Sequence, residues 1–239
     1  MTGLYPDGFY DNRRAHTAHA ARTVLGIVFP HILPNRVLDI GCGTGTWLAA
    51  ALELGAGEVQ GIEGDWVEPQ MLDDPRIVFA AQDLEQSFAF PASFDLAISL
   101  EVAEHLSPGR AEGFVADLVA AAPAILFSAA VPGQGGVNHF NEQWQSWWAA
   151  KFGALGFSAY DLVRPAIWGD DAIPAWYRQN ILVYLADGHP AAGQLTAVHR
   201  LETLDIVHPR FWERANRELV YAGALPESEV LARRARGES

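Results

Sequence analysis

Cysteine occurs once in the 239 residues, as Cys42, so no disulfide can form within the chain and nothing points to an oxidising compartment. Lysine is almost absent too, and arginine supplies nearly all the positive charge. Against 16 basic residues stand 29 acidic ones, for a formal net charge of −13. That balance repels phosphate backbones, so nucleic acid is not an expected partner. No long hydrophobic run is present either. The most apolar stretch, 115–132, is interrupted by Asp117 and Pro123 and makes a poor membrane span. The N-terminus lacks a basic region followed by an apolar one, so no signal peptide is read and a cytoplasmic location is expected.

What is present is the composition of a folded globular protein, half hydrophobic and 19% charged, long enough to bury a large core. The pattern alternates. A helical segment around 13–29 precedes the apolar run RVLDIG (36–41), and a second helical segment covers 46–54. EVQGIE (58–63), IVFAAQDL (77–84), FDLAISL (94–100) and AILFSAAV (124–131) read as further strands, with a helix at 110–121. After a helix at 142–155 come FSAYDLVR (157–164) and NILVYLA (180–186). Strands separated by helices imply crossover connections and a mostly parallel sheet covered on both faces. Ligands of such sheets bind at the carboxyl ends of the strands, where the candidate motifs fall.

The segment VLDIGCGTGTW (37–47) sets Gly41, Gly43 and Gly45 between the first strand and the first crossover helix. Glycines there allow positive φ and close approach of a ligand to the backbone. The spacing is G-x-G-x-G, not the dinucleotide fingerprint G-x-G-x-x-G, because Thr46 stands where the third glycine of that fingerprint belongs. The bland alternative is a tight strand-to-helix turn.

VLDIGCGTG resembles the first motif of the class I S-adenosylmethionine-dependent methyltransferases, and the resemblance runs in order through about residues 30–186. It implies an α/β fold, a doubly wound seven-stranded sheet that is parallel except for the strand at 180–186, with helical N- and C-terminal additions. Residues 1–29 would be a lid and helix, 30–186 the methyltransferase domain, and 187–239 a helical extension packed on it. The cofactor implied is S-adenosyl-L-methionine. By the resemblance, Gly41, Gly43 and Gly45 pack on its methionine portion, with Asp39 near the amino group. Glu63 binds the ribose diol beside Gly64, a task suited to a carboxylate that can accept two hydrogen bonds. Asp83 and the Leu84 backbone hold the adenine. Leu100 and the lid residue Tyr10 complete the cofactor set.

SLEVAEHL (99–106) follows the fourth strand and places Glu101, Glu104 and His105 at i, i+3 and i+4, one face of a helix if a helix starts there. E-x-x-E-H also resembles small-RNA 3′-terminal and ubiquinone-type O-methyltransferases, where it is linked to a divalent metal. A further histidine after the fifth strand completes the RNA enzymes' site, and His139 in GGVNHFNEQW (135–144) is the candidate here. Glu101, Glu104, His105 and His139 make a plausible mixed site for Mg²⁺, Mn²⁺, Fe²⁺ or Zn²⁺. Two alternatives remain open: His105 or His139 as a metal-free general base, with Glu104 beside them, or glutamates that merely complement a helix start.

On the acceptor side, Trp144, Trp147 and Trp148 share helical spacing, which more often marks core packing. Residues 164–180 read as a long loop, and Asn141, Trp168, Tyr177 and Arg178 are the candidate acceptor contacts. Arg164 or Arg178 suits a carboxylate or phosphate, unless each is a buried ion pair. The expected reaction is O-methylation of a small polar metabolite, a sugar or natural-product intermediate. The competing readings are RNA 2′-O-methylation, N-methylation of a small molecule, and a non-catalytic cofactor-binding subunit. The expected partner is a small-molecule acceptor, with no membrane and with a homodimer contact open to the tail helix around 209–222.

Overall fold

A computed structural model describes residues 9–90 and 93–221, with side chains described over 16–90 and 93–217. Seven strands form one sheet: β1 (Arg36–Ile40), β2 (Glu58–Glu63), β3 (Val78–Ala81), β4 (Leu96–Leu100), β5 (Ala124–Ser128), β6 (Phe157–Tyr160) and β7 (Leu182–Ala186). Their order is β3-β2-β1-β4-β5-β7-β6, with β7 antiparallel to both its neighbours and every other pairing parallel. The chain runs outward from β1 through β2 to β3, then returns to pair β4 on the other side of β1. That reversal opens a crevice at the carboxyl ends of β1 and β4.

Strand sequences are apolar at successive positions because both sheet faces are covered. Val37, Leu96, Ile98, Leu126 and Val183 pack into the core on one face. The alternating Leu38, Ala97, Ile125, Phe127 and Leu182 pack into the core on the other. The first face is covered by α1 (Phe9–Ile32) and α2 (Thr46–Glu53). Ala20, Ala21, Val24, Leu25 and Val28 form the buried stripe of α1, at the spacing of one helix face. The second face is covered by α3 (Ala111–Ala121) and α4 (Gln145–Ala154), whose Phe114, Leu118, Trp148 and Phe152 are fully buried. Trp148 thus belongs to the core, while Trp144 in the same stripe stays 39% exposed.

The expected elements all form, with β5 ending at Ser128 and β6 at Tyr160 instead of 131 and 164, and with three further departures. β3 ends at Ala81 because the chain turns at once: Asp83 Oδ1 accepts from the Glu85 amide at 3.0 Å. Residues 164–180 are not a loop but carry two short helices, α5 (Arg164–Ile167) and α6 (Ala175–Asn180). SLEVAEHL does not start an α-helix. Glu101 takes a left-handed backbone, φ +56°, and only Ala103–His105 form a single 3₁₀ turn, so the i, i+3, i+4 face does not exist.

By compactness the chain divides into residues 1–205 and 206–239. The second unit carries α7 (Pro209–Tyr221). Among the described residues no helix is long and apolar enough to cross a membrane.

Candidate active site

A cavity of about 790 Å³ opens at the β1/β4 crevice. Its first wall is the glycine loop. Gly41 and Gly45 both have φ +80°, and a Cβ on either would meet a neighbour, Val102 Cγ2 at 2.3 Å or Ile77 Cδ1 at 2.6 Å. Gly41 is therefore needed for the β1 and β4 turns to touch as well as for ligand approach. Gly43, φ +52°, has nothing within 4 Å of a Cβ and is the member of the loop with open space beside it.

Glu63, at the end of β2, braces this loop. Its Oε2 accepts from the Gly43 amide at 3.1 Å and its Oε1 from the Gly64 amide at 2.9 Å. Glu63, Gly64, Asp83 and Leu84 all line the cavity, together with Gly41. Asp39 lies buried beside them, and its Oδ2 has no hydrogen-bond partner. Burial, then the charge of Glu63, pushes its carboxyl well above the usual range. Leu100 is buried in the core and does not line the cavity. The side chain of Tyr10 lies outside the described residues.

The second wall comes from SLEVAEHL and the segment after β5. Their backbones are joined: the amides of Phe140 and Asn141 both donate to the Glu104 carbonyl, at 2.8 and 3.0 Å. Glu104 is fully buried and neither carboxylate oxygen has a hydrogen-bond partner. Burial first, then the nearby Glu101, drives its carboxyl well above the ordinary glutamate range; the amide dipoles of Glu104 and Ala130 oppose the shift. One donor atom from each of Glu104, His105 and His139 falls within 4.8 Å of the others.

Both imidazoles are oriented from behind. His105 Nδ1 lies 3.2 Å from the Asn138 carbonyl, and His139 Nδ1 lies 2.9 Å from Glu142 Oε1. A carbonyl and an ionised carboxylate can only accept, so in a neutral ring these partners put the proton on Nδ1 and turn Nε2 into the acceptor nitrogen. The rings meet edge to face with centroids 4.8 Å apart. Burial, then His139, holds the His105 pKa below its usual value, which keeps that ring neutral near pH 7. Glu142 also accepts from the amides of Gly133 and Gly135, each at 2.8 Å, and so fixes the loop that carries His139. Gly136 makes room for the ring, since a Cβ there would stand 2.1 Å from His139 Nε2.

Glu101 does not join the three-residue cluster. It lines the cavity, but its oxygens are held by Asn180 Nδ2 at 3.0 Å and Gln134 Nε2 at 2.9 Å. Behind these donors lies a buried network of amides. Gln179 donates to Gln134 and Asn180, and Gln145 donates to the Gln179 carbonyl at 3.3 Å. Burial still raises the Glu101 pKa, with the amides and Ser128 opposing it. Glu101 and Asn138, two cavity residues with left-handed backbones, mark strain of the kind that collects at functional sites.

The expected acceptor contacts on 164–180 face elsewhere. Arg164 is buried against Asp161, with Nε–Oδ1 at 2.9 Å and Nη2–Oδ2 at 2.8 Å, and also donates to the Gln179 and Leu204 carbonyls. Arg178 Nη1 reaches the Trp168 carbonyl and Asp171, both at 3.1 Å. Tyr177 packs edge-on against Trp47, and burial pushes its phenol up to about 12. Trp168 is half-buried and Asn141 is buried, with its Oδ1 accepting from Gln143 at 3.1 Å. None of Asn141, Trp168, Tyr177 and Arg178 lines the cavity. Trp66, Asn138 and Phe140 do, and they lie in irregular segments with no periodic pattern to single them out.

The methyltransferase domain family model matches residues 10–152, more than half of the chain. The chain belongs to the methyltransferase domain family. This bears out the S-adenosylmethionine-dependent class I methyltransferase read from VLDIGCGTG, and the seven-stranded sheet with its antiparallel β7 is the one that resemblance implies. No curated protein matches the chain. Similar solved structures include the magnesium protoporphyrin IX methyltransferase from Synechocystis PCC 6803 with bound SAH, at 18% identity and TM-score 0.53, covering 78% of this chain and 90% of that one. The methyltransferase domain of bacterial-CtHen1-C matches at 18% identity and TM-score 0.51, over 72% and 98% of the two chains. An amino pentose methyltransferase from Micromonospora echinaspora matches at 18% identity and TM-score 0.51, over 77% and 99%. These likenesses are likenesses of fold. In this methyltransferase the residues present fit the cofactor: Asp39 Oδ2 is a buried acceptor without a hydrogen-bond partner, Glu63 and Asp83 line the cavity, and Gly43 has open space beside it.

Proposed function

We propose that this methyltransferase O-methylates a small-molecule hydroxyl, with a divalent metal held by Glu104, His105 and His139. The observation that carries the reading is Glu104, a fully buried carboxylate with two unpartnered oxygens beside two imidazoles already held through Nδ1. A buried anion left in that state is unfavourable, and a coordinated cation is the group that relieves it. Histidines that bind a metal through one nitrogen characteristically donate the other N–H to a carbonyl or carboxylate, as both do here.

Bound S-adenosylmethionine supplies an electrophilic methyl group, and a divalent ion at this site would lower the pKa of an acceptor hydroxyl. The chain's own contributions are orientation and charge. The glycine loop and Glu63 fix one ligand at the crevice, while Asn138 and Glu142 fix the directions of the two imidazoles. Glu101, held by the amides, adds a carboxylate to the cavity wall. Transfer then needs only that acceptor oxygen and methyl be aligned.

A second reading keeps His105 as a metal-free general base. It is favoured by the exposure of that ring on the cavity wall and by its lowered pKa. The test is methyl transfer from isotopically labelled S-adenosylmethionine to matched acceptors, one with adjacent hydroxyls and one with a single hydroxyl, with and without a chelator. The metal reading expects the diol to be methylated and the chelator to abolish it. Turnover indifferent to chelation assigns the chemistry to His105, and turnover on the matched amine alone would overturn O-methylation.

A further inference from the structure

The connection from β3 to β4 brings Asp83 and Leu84 to the cavity wall, yet its described residues hold neither helix nor strand. A segment without ladder bonds needs other partners for its backbone. Two of them come from one side chain. Arg110, in the turn just before α3, is only 8% exposed; its Nε donates to the Leu84 carbonyl at 2.8 Å and its Nη2 to the Gln86 carbonyl at 3.0 Å. Nη2 also pairs with Asp117, seven residues on. Asp117 accepts in turn from the Ser87 hydroxyl at 3.0 Å and the Phe88 amide at 3.3 Å. The two side chains thus fasten residues 84–88 to α3.

The place of this guanidinium is built into the surrounding sequence. Its Cζ lies 5.7 Å from the centre of the Phe88 ring and 5.6 Å from that of Phe114. Gly113 stands inside α3, where alanine would favour the helix, and a Cβ there would come within 2.6 Å of Arg110 Nη1. The bond to Leu84 matters most, because of what the same peptide does at its other end. The peptide joining Leu84 and Glu85 presents its carbonyl to Arg110 and its N–H to Asp83 Oδ1, the latter at 3.0 Å. Turning that peptide would break both bonds. Arg110 therefore sets the direction of the Asp83 carboxylate through the peptide.

We propose that Arg110, with Asp117, is the positioning residue for base recognition in the cofactor crevice: it holds the peptide that aims the Asp83 carboxylate, and so sets a preference for adenine. This rests on the cofactor placement that the family resemblance implies, with Asp83 and the Leu84 backbone at the adenine edge. An amino group facing a carboxylate donates to it, whereas the carbonyl that hypoxanthine carries in its place sets acceptor against acceptor. Such discrimination depends on a carboxylate held in one direction by the groups behind it. Lysine at position 110 would keep a charge for Asp117 but has no fork to reach two carbonyls as well.

The experiment is calorimetric titration of the full chain with S-adenosylhomocysteine and with S-inosylhomocysteine, whose base is hypoxanthine in place of adenine. The wild type should prefer the adenosyl compound by about tenfold or more, and Asp83→Ala should lose most of that preference. Arg110→Lys should narrow it to about threefold or less. Gly113→Ala, which displaces the end of the guanidinium while favouring the helix, should narrow it in the same direction, and it decides the question if Arg110→Lys does not fold. An arginine that merely stabilised the fold would weaken both compounds alike and leave their ratio unchanged. An unchanged ratio in Arg110→Lys and Gly113→Ala, with the ratio lost in Asp83→Ala, would overturn the proposal and leave the adenine placement standing. Equal affinities in the wild type, or a preference that survives Asp83→Ala, would overturn the placement and the proposal with it.

Discussion

Glu104 concentrates the unfavourable electrostatics of the site in one side chain. In the metal-free protein its folded pKa lies above the unfolded value, near 4.5, so between those two values the folded state holds a proton that the unfolded chain has released. Stability from this group is therefore present at low pH and lost as pH rises through and above 4.5. Glu104→Gln removes the titration and keeps the shape. In calorimetric melts with a chelator, the wild type should lose midpoint relative to Glu104→Gln as pH is raised toward 7; parallel curves would show that Glu104 is not desolvated. Glu142 is the second residue to test. Glu142→Ala frees His139 Nδ1 and two loop amides, and should weaken metal binding by about 10–100-fold while leaving S-adenosylhomocysteine affinity unchanged. Glu63→Ala should do the reverse. It removes the acceptor of the Gly43 and Gly64 amides and, on the resemblance to class I methyltransferases, the carboxylate for the ribose diol, and should reduce S-adenosylmethionine affinity by about 1–3 kcal/mol in a binding titration.

Among elements, the ends of β1 and β2 were legible in the sequence because local spacing sets them: an apolar run, then a glycine or acidic residue, with Asp39 and Glu63 where that logic puts them. β3 instead stops at Ala81, and Asp83 stands in the turn beyond it. The helix start that would make the i, i+3, i+4 spacing of SLEVAEHL a face does not form, and spacing carries no information about backbone hand. Glu101 takes φ +56° under tertiary restraint, with its amide donating to the Ser128 carbonyl at 3.0 Å and its carboxylate held by residues 33 and 79 positions away. The amide network is hidden for the same reason, since Gln134, Gln145, Gln179 and Asn180 come together only in the fold. Residues 164–180 misled in another way. Arginines and aromatics in an unpatterned stretch look like a binding lid, yet Arg164 finds Asp161 three residues back and Arg178 finds Asp171 seven back. Asn180→Leu tests the network at this scale. It leaves Glu101 Oε1 and Gln134 Oε1 short of a donor, and should destabilise the fold by roughly 1–3 kcal/mol in urea unfolding. An unchanged midpoint would mean that water replaces the amide without loss.

At the scale of the whole molecule, two readings of the same histidine cluster divide on charge. RNA methylation needs cations beside the pocket, whereas this chain carries −13 overall and no arginine or lysine on the described cavity wall. The account predicts no retention of single- or double-stranded RNA in filter binding at low salt. Retention that falls steeply as salt is raised would contradict it, because that is the signature of phosphate contacts. The fold supplies the remaining logic. Parallel strands bring the glycine loop, the acidic strand ends and SLEVAEHL to one crevice, and the backbone bonds from Phe140 and Asn141 to Glu104 bring the last histidine to it.

The most direct test of the central claim is calorimetric titration of Mg²⁺, Mn²⁺ and Zn²⁺ into metal-stripped protein saturated with S-adenosylhomocysteine. The account predicts binding of one ion per chain, lost in both Glu104→Ala and His139→Ala and retained in Glu101→Gln. Absence of binding by all three ions, or binding that survives Glu104→Ala, would contradict it and leave His105 to act as a base on its own.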